Sequence, residues 1–562
     1  MMEEPVMRSI PVLIVGGGVS GLSAAAFLGH QGVASLLVER HHDHPTHPRM
    51  SGAGPRSMEL FRGIGLEPRI RSLDEGAASV IMRAATLSGR EIERYSMGGA
   101  EEVEGISPTE QIWFDQDQLE PVLRETAAGT GADIRFGTEL AEFEQHADGV
   151  RAVIRDRASG AEETVHASYL LACDGIHSPV RERLGIGRSG PGILAHQAGI
   201  LFRADLSAAV RDRNFLLCLL DDIAGGRGDD HLHVLLRRNR SRWTLSVPYY
   251  PDKGESPEDF TRERCTELIH AAVGRQDIDV QVLDVDTWPM QVRMADSFAS
   301  GRVFVVGDAA HCLPPTGGFG GNSCIHDAHN LAWKLAEVLS GRAGPGLLDS
   351  YEAERRPVAQ VLLEESAARA GLFLAGDAEG GSGQPPDRPP KANIMLGYRY
   401  RSGAVAAEPA TDDGEPVEDA LDPSGRPGTR APHLVVEDNG ERVSTLDLFD
   451  RGFVLLAGAE GAAWQRAATA AAERTRVALT CRRLTPSGHP FADLVDVDGR
   501  WSATYRVGPV GAALVRPDGF IAWRSTEAVG DPEEELVSVL KRLLDLPPAV
   551  AADGAQHEEA VL

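Results

Sequence analysis

Three glycine-bearing stretches lie far apart in the chain and contain residue types that can hold a nucleotide. They are Gly16-Gly17-Gly18-Val19-Ser20-Gly21, Asp174-Gly175-Ile176-His177 and Gly307-Asp308-Ala309-Ala310-His311. Glycines that open a helix expose free backbone N–H groups, and the positive end of the helix dipole adds to the attraction for an anion. A carboxylate accepts hydrogen bonds from sugar hydroxyls. Together these features predict a site for a nucleotide-containing cofactor.

The first stretch has the flanking elements that a dinucleotide fingerprint requires. The apolar run 12–15 predicts a buried strand, and the residues after the glycines favour a helix. The first glycine would permit the turn, the second would let the backbone approach a pyrophosphate, and the third would let helix and strand lie close together. A second apolar run ends in an acid about 20 residues further on, where a ribose-binding residue is expected. The predicted contacts are Gly16, Gly18, Ser20, Gly21 and Glu39.

The third stretch distinguishes FAD from NAD, which share this fingerprint. Asp308 follows the apolar strand 303–306, and a stiff, then glycine-rich loop covers 313–322 before a helical pattern begins at Asp327. A carboxylate at this position can accept hydrogen bonds from the sugar-alcohol chain of a flavin, which NAD lacks. The loop can offer N–H groups to the flavin ring. The sequence therefore predicts FAD, with further contacts from Pro315, Gly320, Gly321 and Asn322.

These motifs resemble those of a known family, the group A flavin monooxygenases, or para-hydroxybenzoate hydroxylase family. The resemblance also covers residues 116–120, 327–335 and 351–357, and so extends from the first strand to Pro357. Within the family the chain most resembles bacterial aromatic polyketide hydroxylases, which carry an additional C-terminal domain. Phe319 and Gly321 stand where many relatives have a glutamine and a methionine or leucine. This departure leaves the substrate subgroup open, but not the flavin.

The resemblance and the residue types together indicate further cofactor contacts. By resemblance, Gln116 touches the sugar-alcohol chain of the flavin and Pro315 borders the bound phenol. Arg40 and Arg49 follow the second strand, and a guanidinium can bind two phosphate oxygens at once. Arg124 would contact the same region, with a surface salt bridge as its alternative role.

The sequence does not identify a general base or a metal site. His231, His233 and Tyr249 lie in the predicted substrate domain and could accept a phenol proton, although each also suits a structural role. The six cysteines include no C-x-x-C pair, so neither a zinc site nor dithiol redox chemistry is predicted.

Composition excludes several other function classes. The chain has 562 residues with 83 acidic and 56 basic side chains, for a formal net charge of −27. Such a charge argues against general binding to nucleic acid or to an anionic membrane. The sequence has no apolar run long enough to span a membrane, and its acidic N-terminus has no signal-peptide pattern. We therefore expect a cytoplasmic enzyme.

The predicted fold class is α/β, with a Rossmann-like FAD-binding domain, an inserted mostly-β substrate domain and a C-terminal thioredoxin-like domain. The insertions alternate in strand fashion and show few helix signals. The C-terminal region lacks a cysteine pair, so it is expected to act as a scaffold or a homodimer contact. The predicted domains are 1–75, 111–185 and 291–375 for FAD; 76–110 and 186–290 for substrate; a linker at 376–393; and 394–550 for the thioredoxin-like part.

The predicted function is hydroxylation of a polycyclic aromatic phenol or quinone in secondary metabolism. The enzyme would use FAD, O2 and a nicotinamide donor, for which NADPH is favoured and NADH stays open. No second nicotinamide fingerprint is visible, and the resemblance implies that the donor docks transiently. Two alternatives remain open. The same flavin could catalyse a Baeyer–Villiger or ring-rearranging oxygenation of a polycyclic ketone, or the chain could be a non-catalytic flavin- or aromatic-binding protein.

Overall fold

The computed structural model describes residues 8–44, 47–74, 76, 78–97, 103–221, 233–239, 241–374, 389–408, 412–488 and 493–547. The strands, in chain order, are β1 (Arg8–Val15), β2 (Ser35–Glu39), β3 (Ser51–Ala53), β4 (Val80–Ala84), β5 (Glu91–Ser96), β6 (Ile112–Asp115), β7 (Asp133–Phe136), β8 (Thr138–Gln145), β9 (Val150–Asp156), β10 (Glu162–Ala172), β11 (Arg188–Arg203), β12 (Leu217–Leu220), β13 (His233–Arg237), β14 (Arg242–Tyr249), β15 (Gln281–Ala295), β16 (Ala299–Ser300), β17 (Val303–Val305), β18 (His311–Cys312), β19 (Val435–Asp438), β20 (Glu441–Ser444), β21 (Phe453–Ala457), β22 (Leu479–Pro486), β23 (Leu494–Asp496), β24 (Ala512–Val515) and β25 (Ile521–Ser525).

The helices, in chain order, are α1 (Val19–His30), α2 (Pro55–Gly63), α3 (Glu67–Arg71), α4 (Gln116–Gly129), α5 (Pro179–Arg183), α6 (Ser207–Val210), α7 (Arg262–Val273), α8 (Phe319–Leu339), α9 (Asp349–Leu374), α10 (Lys391–Leu396), α11 (Ala462–Thr475), α12 (Trp501–Tyr505) and α13 (Pro532–Leu543). None of them, in the part of the chain that the structure describes, combines the length and apolar character needed to cross a membrane.

The first sheet positions the three glycine-bearing stretches. Its strands follow the order β16-β17-β10-β1-β2-β7, and β1 pairs in parallel with both β10 and β2. Helices α1 and α8 pack together on one face in a shared apolar core. In the parallel register Val15 lies beside Ala172, which lies beside Val305. The three stretches begin just after these residues, so they meet at one edge of the sheet.

The second sheet stands over that edge. Its strands follow the order β18-β15-β11-β14-β13-β12-β4-β5. One face packs against α7, a helix that the sequence analysis did not predict. The other face turns to the first sheet. Gly199 of β11 shows this, since a Cβ atom there would contact the ring of His47 in the loop after β2. Strand β18, which closely follows Asp308, pairs with β15 and joins the two sheets.

The third sheet lies near the C-terminal end of the chain and follows the order β20-β19-β23-β22-β21-β24-β25. Strands β21 and β22 are parallel and α11 connects them, whereas β24 and β25 are antiparallel to their neighbours. Helices α11 and α13 pack together on one face. This region contacts α8 through Trp333, whose ring meets Phe453 edge-on at 6.0 Å.

His231 lies outside the described residues, and positions 376–388 of the predicted linker do as well. Within the described part of that linker, α10 begins at Lys391.

Candidate active site

The three stretches are in direct contact, and glycine is required where they touch. A Cβ atom at Gly307 would overlap the Ser20 hydroxyl of α1, and one at Gly16 would overlap the Cys173 carbonyl after β10. A Cβ atom at Gly21 would overlap the Gly16 carbonyl, so α1 lies directly against the turn after β1. The structure therefore brings the fingerprint, the Asp-Gly stretch and the Gly-Asp stretch into one crevice.

The N-terminus of α1 opens into this crevice. Gly18 is its N-cap, and no described side chain caps the helix. A Cβ atom at Gly18 would have Glu120 Oε1, 3.9 Å away, as its nearest described neighbour, so the space in front of the helix is open. Glu39 lies beside it, where one carboxylate oxygen accepts from the Gly17 N–H at 2.6 Å and the other from the His41 N–H at 2.8 Å. Uncapped N–H groups facing open space suit a phosphate.

Asp308 lies on the floor of the crevice. Its side chain is exposed to the crevice, but many protein atoms lie around the carboxyl. They reduce its hydration, and this raises the pKa of the carboxyl. The nearby charges of His311 and Arg49 act in the opposite direction. The Cys324 thiol donates to this carboxylate, with Sγ 3.7 Å from Oδ1. An exposed carboxylate in such a place can accept hydrogen bonds from ligand hydroxyls.

Helix α8 begins at Phe319, eight residues before the position predicted from the helical pattern. Gly320, Gly321 and Asn322 therefore form its first turn rather than a loop, and the N–H groups of a first turn lack partners within the helix. A Cβ atom at Gly320 would meet only Leu313, at 4.0 Å, among the described residues, so this turn also faces open space. A second helix N-terminus thus points into the crevice.

The residues next to this turn hold it in place. The Asn322 side-chain oxygen accepts from the Gly54 N–H at 2.8 Å, and its amide nitrogen donates to the Gly318 carbonyl at 2.8 Å. Gly318 adopts the left-handed conformation with φ +70°, which favours glycine. Pro315 is exposed beside the turn and accepts a hydrogen bond from the Gly318 N–H.

Gln116 fixes the backbone that carries Arg49. Its side-chain oxygen accepts from the Arg49 N–H at 3.1 Å and the Met50 N–H at 3.2 Å, and its nitrogen donates to Glu120 at 2.7 Å. The Arg49 guanidinium is exposed, and it lies 3.5 Å from Asp286 of β15. Glu120 lies in the stretch 116–120 that the resemblance covered without giving it a role. Its spacing of four from Gln116 places both on one face of α4.

The other two arginines make different contacts. Arg124 lies over the Phe136 ring, with 4.3 Å between the guanidinium carbon and the ring centre. Arg40 is exposed, and its Nε donates to His41 at 3.2 Å. Neither contact occupies the open space in front of α1.

Buried polar groups fix the Gly-Asp turn from behind. Asp327 accepts from the Gly307 N–H at 3.2 Å, from His311 Nε2 at 2.7 Å and from Arg355 Nε at 2.7 Å. Burial raises the pKa of Asp327, but the charges of Arg355 and His311 outweigh it and hold the pKa at about 2. Asp327 and Arg355 lie in motifs that the resemblance covered without giving them a role.

Arg181 ties the Asp-Gly stretch to the Gly-Asp turn. Its guanidinium is buried and donates to the Ala309 carbonyl at 2.9 Å. Asp174 accepts from the Val180 N–H at 3.0 Å at the start of α5, and burial raises the pKa of its carboxyl. The Asp-Gly motif therefore supports the crevice through backbone contacts.

The two described candidates for the general base lie away from the crevice. His233 shares a strand face with Leu235, which packs against α7. The Tyr249 ring contacts Phe260 on the same side, with ring centres 5.7 Å apart. The structure does not bring either residue together with Asp308.

The face of the second sheet that turns to the crevice carries an apolar wall. Along β14, Leu245 and Val247 face α7, so Ser246 and Pro248 face the other way. Gln197 lies beside Pro248 in the register, with Trp288 on its other side. We define the apolar wall as the half-buried side chains on this face, which are Leu217, Val234, Leu236, Pro248 and Trp288.

Two family models match the chain. An FAD-binding domain matches residues 9–366, and the C-terminal domain of aromatic-ring hydroxylases matches residues 424–547. The chain is 41% identical to tetracenomycin A2 monooxygenase-dioxygenase of Streptomyces glaucescens, over 96% of this chain and 97% of that protein. It is 40% identical to 4-methyl-5-nitrocatechol 5-monooxygenase of a Burkholderia species, over 97% and 99%.

A solved structure shows the same architecture. The crystal structure of aklavinone-11 hydroxylase in a ternary complex with FAD and aklavinone superposes with a TM-score of 0.88 at 39% identity, covering 96% of this chain and 99% of that one. The chain belongs to the FAD-dependent aromatic-ring hydroxylases, the group A flavin monooxygenases. FAD is its cofactor, and NAD(P)H is the reductant typical of the family. Two open helix N-termini and the exposed Asp308 carboxylate fit such a cofactor.

Proposed function

We propose that this enzyme uses NAD(P)H and O2 to hydroxylate a polycyclic aromatic phenol or quinone of the polyketide type. The apolar wall carries the proposal, because an extended face of half-buried apolar side chains opposite the crevice suits a fused-ring substrate. The similarity to tetracenomycin and aklavinone oxygenases supports the same class. One oxygen atom would enter the ring and the other would leave as water, with two electrons from NAD(P)H.

The geometry supports specific roles around the cofactor. The pyrophosphate of FAD would lie at the α1 N-terminus by Gly18, with Glu39 at the ribose and Asp308 at the sugar-alcohol chain. The first turn of α8 would direct N–H groups to the flavin ring, and Pro315 would border the substrate. Once reduced, FAD supplies the oxygen-transfer chemistry. The protein binds the ring, orients it and excludes water.

Three arginines would neutralise the phosphates of FAD to different degrees. Arg49 is the strongest candidate, because its guanidinium is exposed and Gln116 fixes its backbone. We also assign Arg40 and Arg124 to the phosphate end of the site. Arg40 follows Glu39 directly, and Arg124 lies over Phe136 of β7, the strand next to Glu39 in the sheet. Gln116 would act by fixing the Arg49 segment.

We infer that the C-terminal region has a thioredoxin-like fold with a scaffold role. The succession β21-α11-β22, then β24-β25-α13, and the order β22-β21-β24-β25 support this inference. Its cysteine, Cys481, has no second cysteine nearby in the sequence, so dithiol chemistry is not assigned to it.

Labelled oxygen tests the proposed reaction. FAD-loaded enzyme would be supplied with NADPH, isotopically labelled O2 and a panel of aromatic compounds, from a single-ring catechol to aklavinone. We expect a polycyclic compound to stimulate NADPH oxidation and to gain one labelled oxygen atom on an intact ring system. Ring expansion to a lactone would instead support a Baeyer–Villiger reaction. No stimulation by any aromatic compound would contradict the proposed function.

A further inference from the structure

Gln197 is a buried amide in an apolar setting. It is 4% exposed and lies in the middle of β11, in register with Pro248 on one side and Trp288 on the other. The amide nitrogen is not among the fully buried atoms that lack a partner, so it remains accessible from the sheet face. Its contacts therefore show what this side chain offers to a ligand.

Only half of the amide is used within the described residues. The Ser246 hydroxyl donates to Gln197 Oε1 at 3.0 Å. The amide nitrogen, which carries two N–H donors, has no acceptor in the described part of the chain. Ser246 thus fixes the orientation of the amide and leaves its donors for another partner.

The register shows where those donors lie. The second sheet contacts the FAD-binding part on both sides of Gln197. On one side Gly199 lies against His47, and on the other Arg293 of β15 pairs with Cys312 of β18. Gln197 and Trp288 lie between these two contacts, on the face that turns to the crevice. The amide is therefore set among the side chains of the apolar wall.

We propose that Gln197, oriented by Ser246, is a specificity-determining residue whose amide donates a hydrogen bond to a carbonyl or phenolate oxygen of the aromatic substrate. The proposal rests on the proposed function. An apolar wall alone binds a flat ring system without fixing its position, whereas one buried donor selects rings with an oxygen at one place. A site built to bond such an oxygen discriminates strongly against substrates that lack it.

Substitutions of Gln197 and Ser246 distinguish a role in substrate binding from a purely structural role. Gln197→Met keeps the length of the side chain and removes both donors, and Ser246→Ala removes the group that orients them. The matched control is Thr287→Val, next to Trp288 in β15 but on the opposite sheet face, beside Ala198. All variants would be purified with FAD bound, and FAD affinity would be measured first.

With the panel compound that best stimulates the wild type, we expect Gln197→Met to raise KM about tenfold, as loss of one hydrogen bond does. Ser246→Ala should raise KM less, and Thr287→Val should leave it unchanged. Both site variants should oxidise more NADPH without forming product, because the ring is no longer fixed. FAD affinity should stay at the wild-type value in all three variants.

The proposed function and the proposed role of Gln197 can fail separately. If no aromatic compound stimulates the wild type, the proposed function fails and this inference fails with it. If the wild type responds and Gln197→Met keeps its KM and its coupling, the inference alone is overturned. Gln197→Glu serves as the second variant should Gln197→Met fail to fold. When ionised, its side chain accepts hydrogen bonds but has no N–H donors. An unchanged KM in Gln197→Glu or in Ser246→Ala would equally overturn the inference.

Discussion

At the scale of single residues, the crevice depends on close approach between backbones. Gly21 and Gly307 lie where any side chain would overlap a neighbouring atom, and both contacts involve the turn that would receive the cofactor. The fingerprint glycines and Asp308 were found in the sequence because their chemistry is local. The proposed role of Gln197 could not be predicted from the sequence, because it depends on which face of β11 turns to the crevice.

Gly21→Ala should weaken FAD binding and destabilise the protein. The added methyl group would overlap the Gly16 carbonyl, so α1 must move away from the turn, at a cost of about 1–3 kcal/mol. Flavin absorbance of the purified protein and urea unfolding would measure both effects. Gly63→Ala is the control, because a Cβ atom there meets no described atom within 4 Å. Full FAD occupancy in Gly21→Ala would contradict this account.

Asp308→Ala should raise the dissociation constant of FAD by a factor of about 10–100. The expected loss corresponds to hydrogen bonds that an ionised acceptor makes to ligand hydroxyls. Titration of apoprotein with FAD, followed by flavin fluorescence, would measure it. Asp148→Ala, whose carboxylate is exposed in the turn between β8 and β9, is the control. Equal affinities for both variants would remove Asp308 from the site.

At the scale of elements, α8 and α9 are joined by a buried ladder of polar pairs. Asp327, Asn330 and Lys334 share one face of α8, because helical residues three and four apart are neighbours. Asp327 meets Arg355, while the other two meet Glu354, with Lys334 Nζ 2.8 Å from its carboxylate. Arg516 after β24 completes the ladder at Glu354 and contributes a contact from the C-terminal region. This ladder gives a structural reason for the motifs at 327–335 and 351–357.

Arg516→Met should destabilise the protein by about 3–5 kcal/mol. Glu354 and Asp518 would lose a buried partner, and an uncompensated buried charge is costly. Urea unfolding would measure the change. Arg474→Met is the matched control, because Arg474 pairs with Glu533 and Glu534 on the exposed surface of the same region. Exposed ion pairs contribute little, so this variant should lower the free energy of unfolding far less. Similar losses for both variants would contradict the buried role of Arg516.

Elements were predicted well where their signals were local and poorly where tertiary contacts decide. The first strands and α1 follow from apolar runs and glycines. The early start of α8 was missed, because Gly320 and Gly321 suggest a loop, whereas the Asn322 side chain holds the turn against Gly54. Helix α7 was also missed, although its apolar residues 265, 268, 269 and 272 have helical spacing and Thr261 caps it.

At the scale of the whole molecule, the site forms where two sheets meet and the C-terminal region supports it from behind. Arg56 of α2 donates to the Asp518 carbonyl, and Arg430 pairs with Glu59 of the same helix. His329 of α8 lies at this contact, with its ring 4.8 Å from that of Phe27. Burial and then the charge of Arg56 lower the pKa of His329 to about 3.

This pKa predicts a loss of stability in acid. Between pH 6.5 and 3 the unfolded chain would bind a proton at His329 that the folded chain does not, so the free energy of unfolding falls as the pH falls. One such proton contributes about 1.4 kcal/mol per pH unit. Urea unfolding of His329→Phe across this range should show a shallower pH dependence than the wild type. Parallel curves would show that His329 does not titrate in this way.

The roles proposed for the crevice require one FAD between the α1 N-terminus and Asp308, with an aromatic ring against the apolar wall. A crystal structure of the enzyme with FAD and aklavinone would show whether both ligands lie there. We expect the FAD pyrophosphate at Gly18, a sugar-alcohol hydroxyl within hydrogen-bond distance of Asp308, and the aromatic ligand in contact with Trp288. An FAD molecule that leaves Asp308 without a contact, or an aromatic ligand on the α7 side of the second sheet, would contradict it.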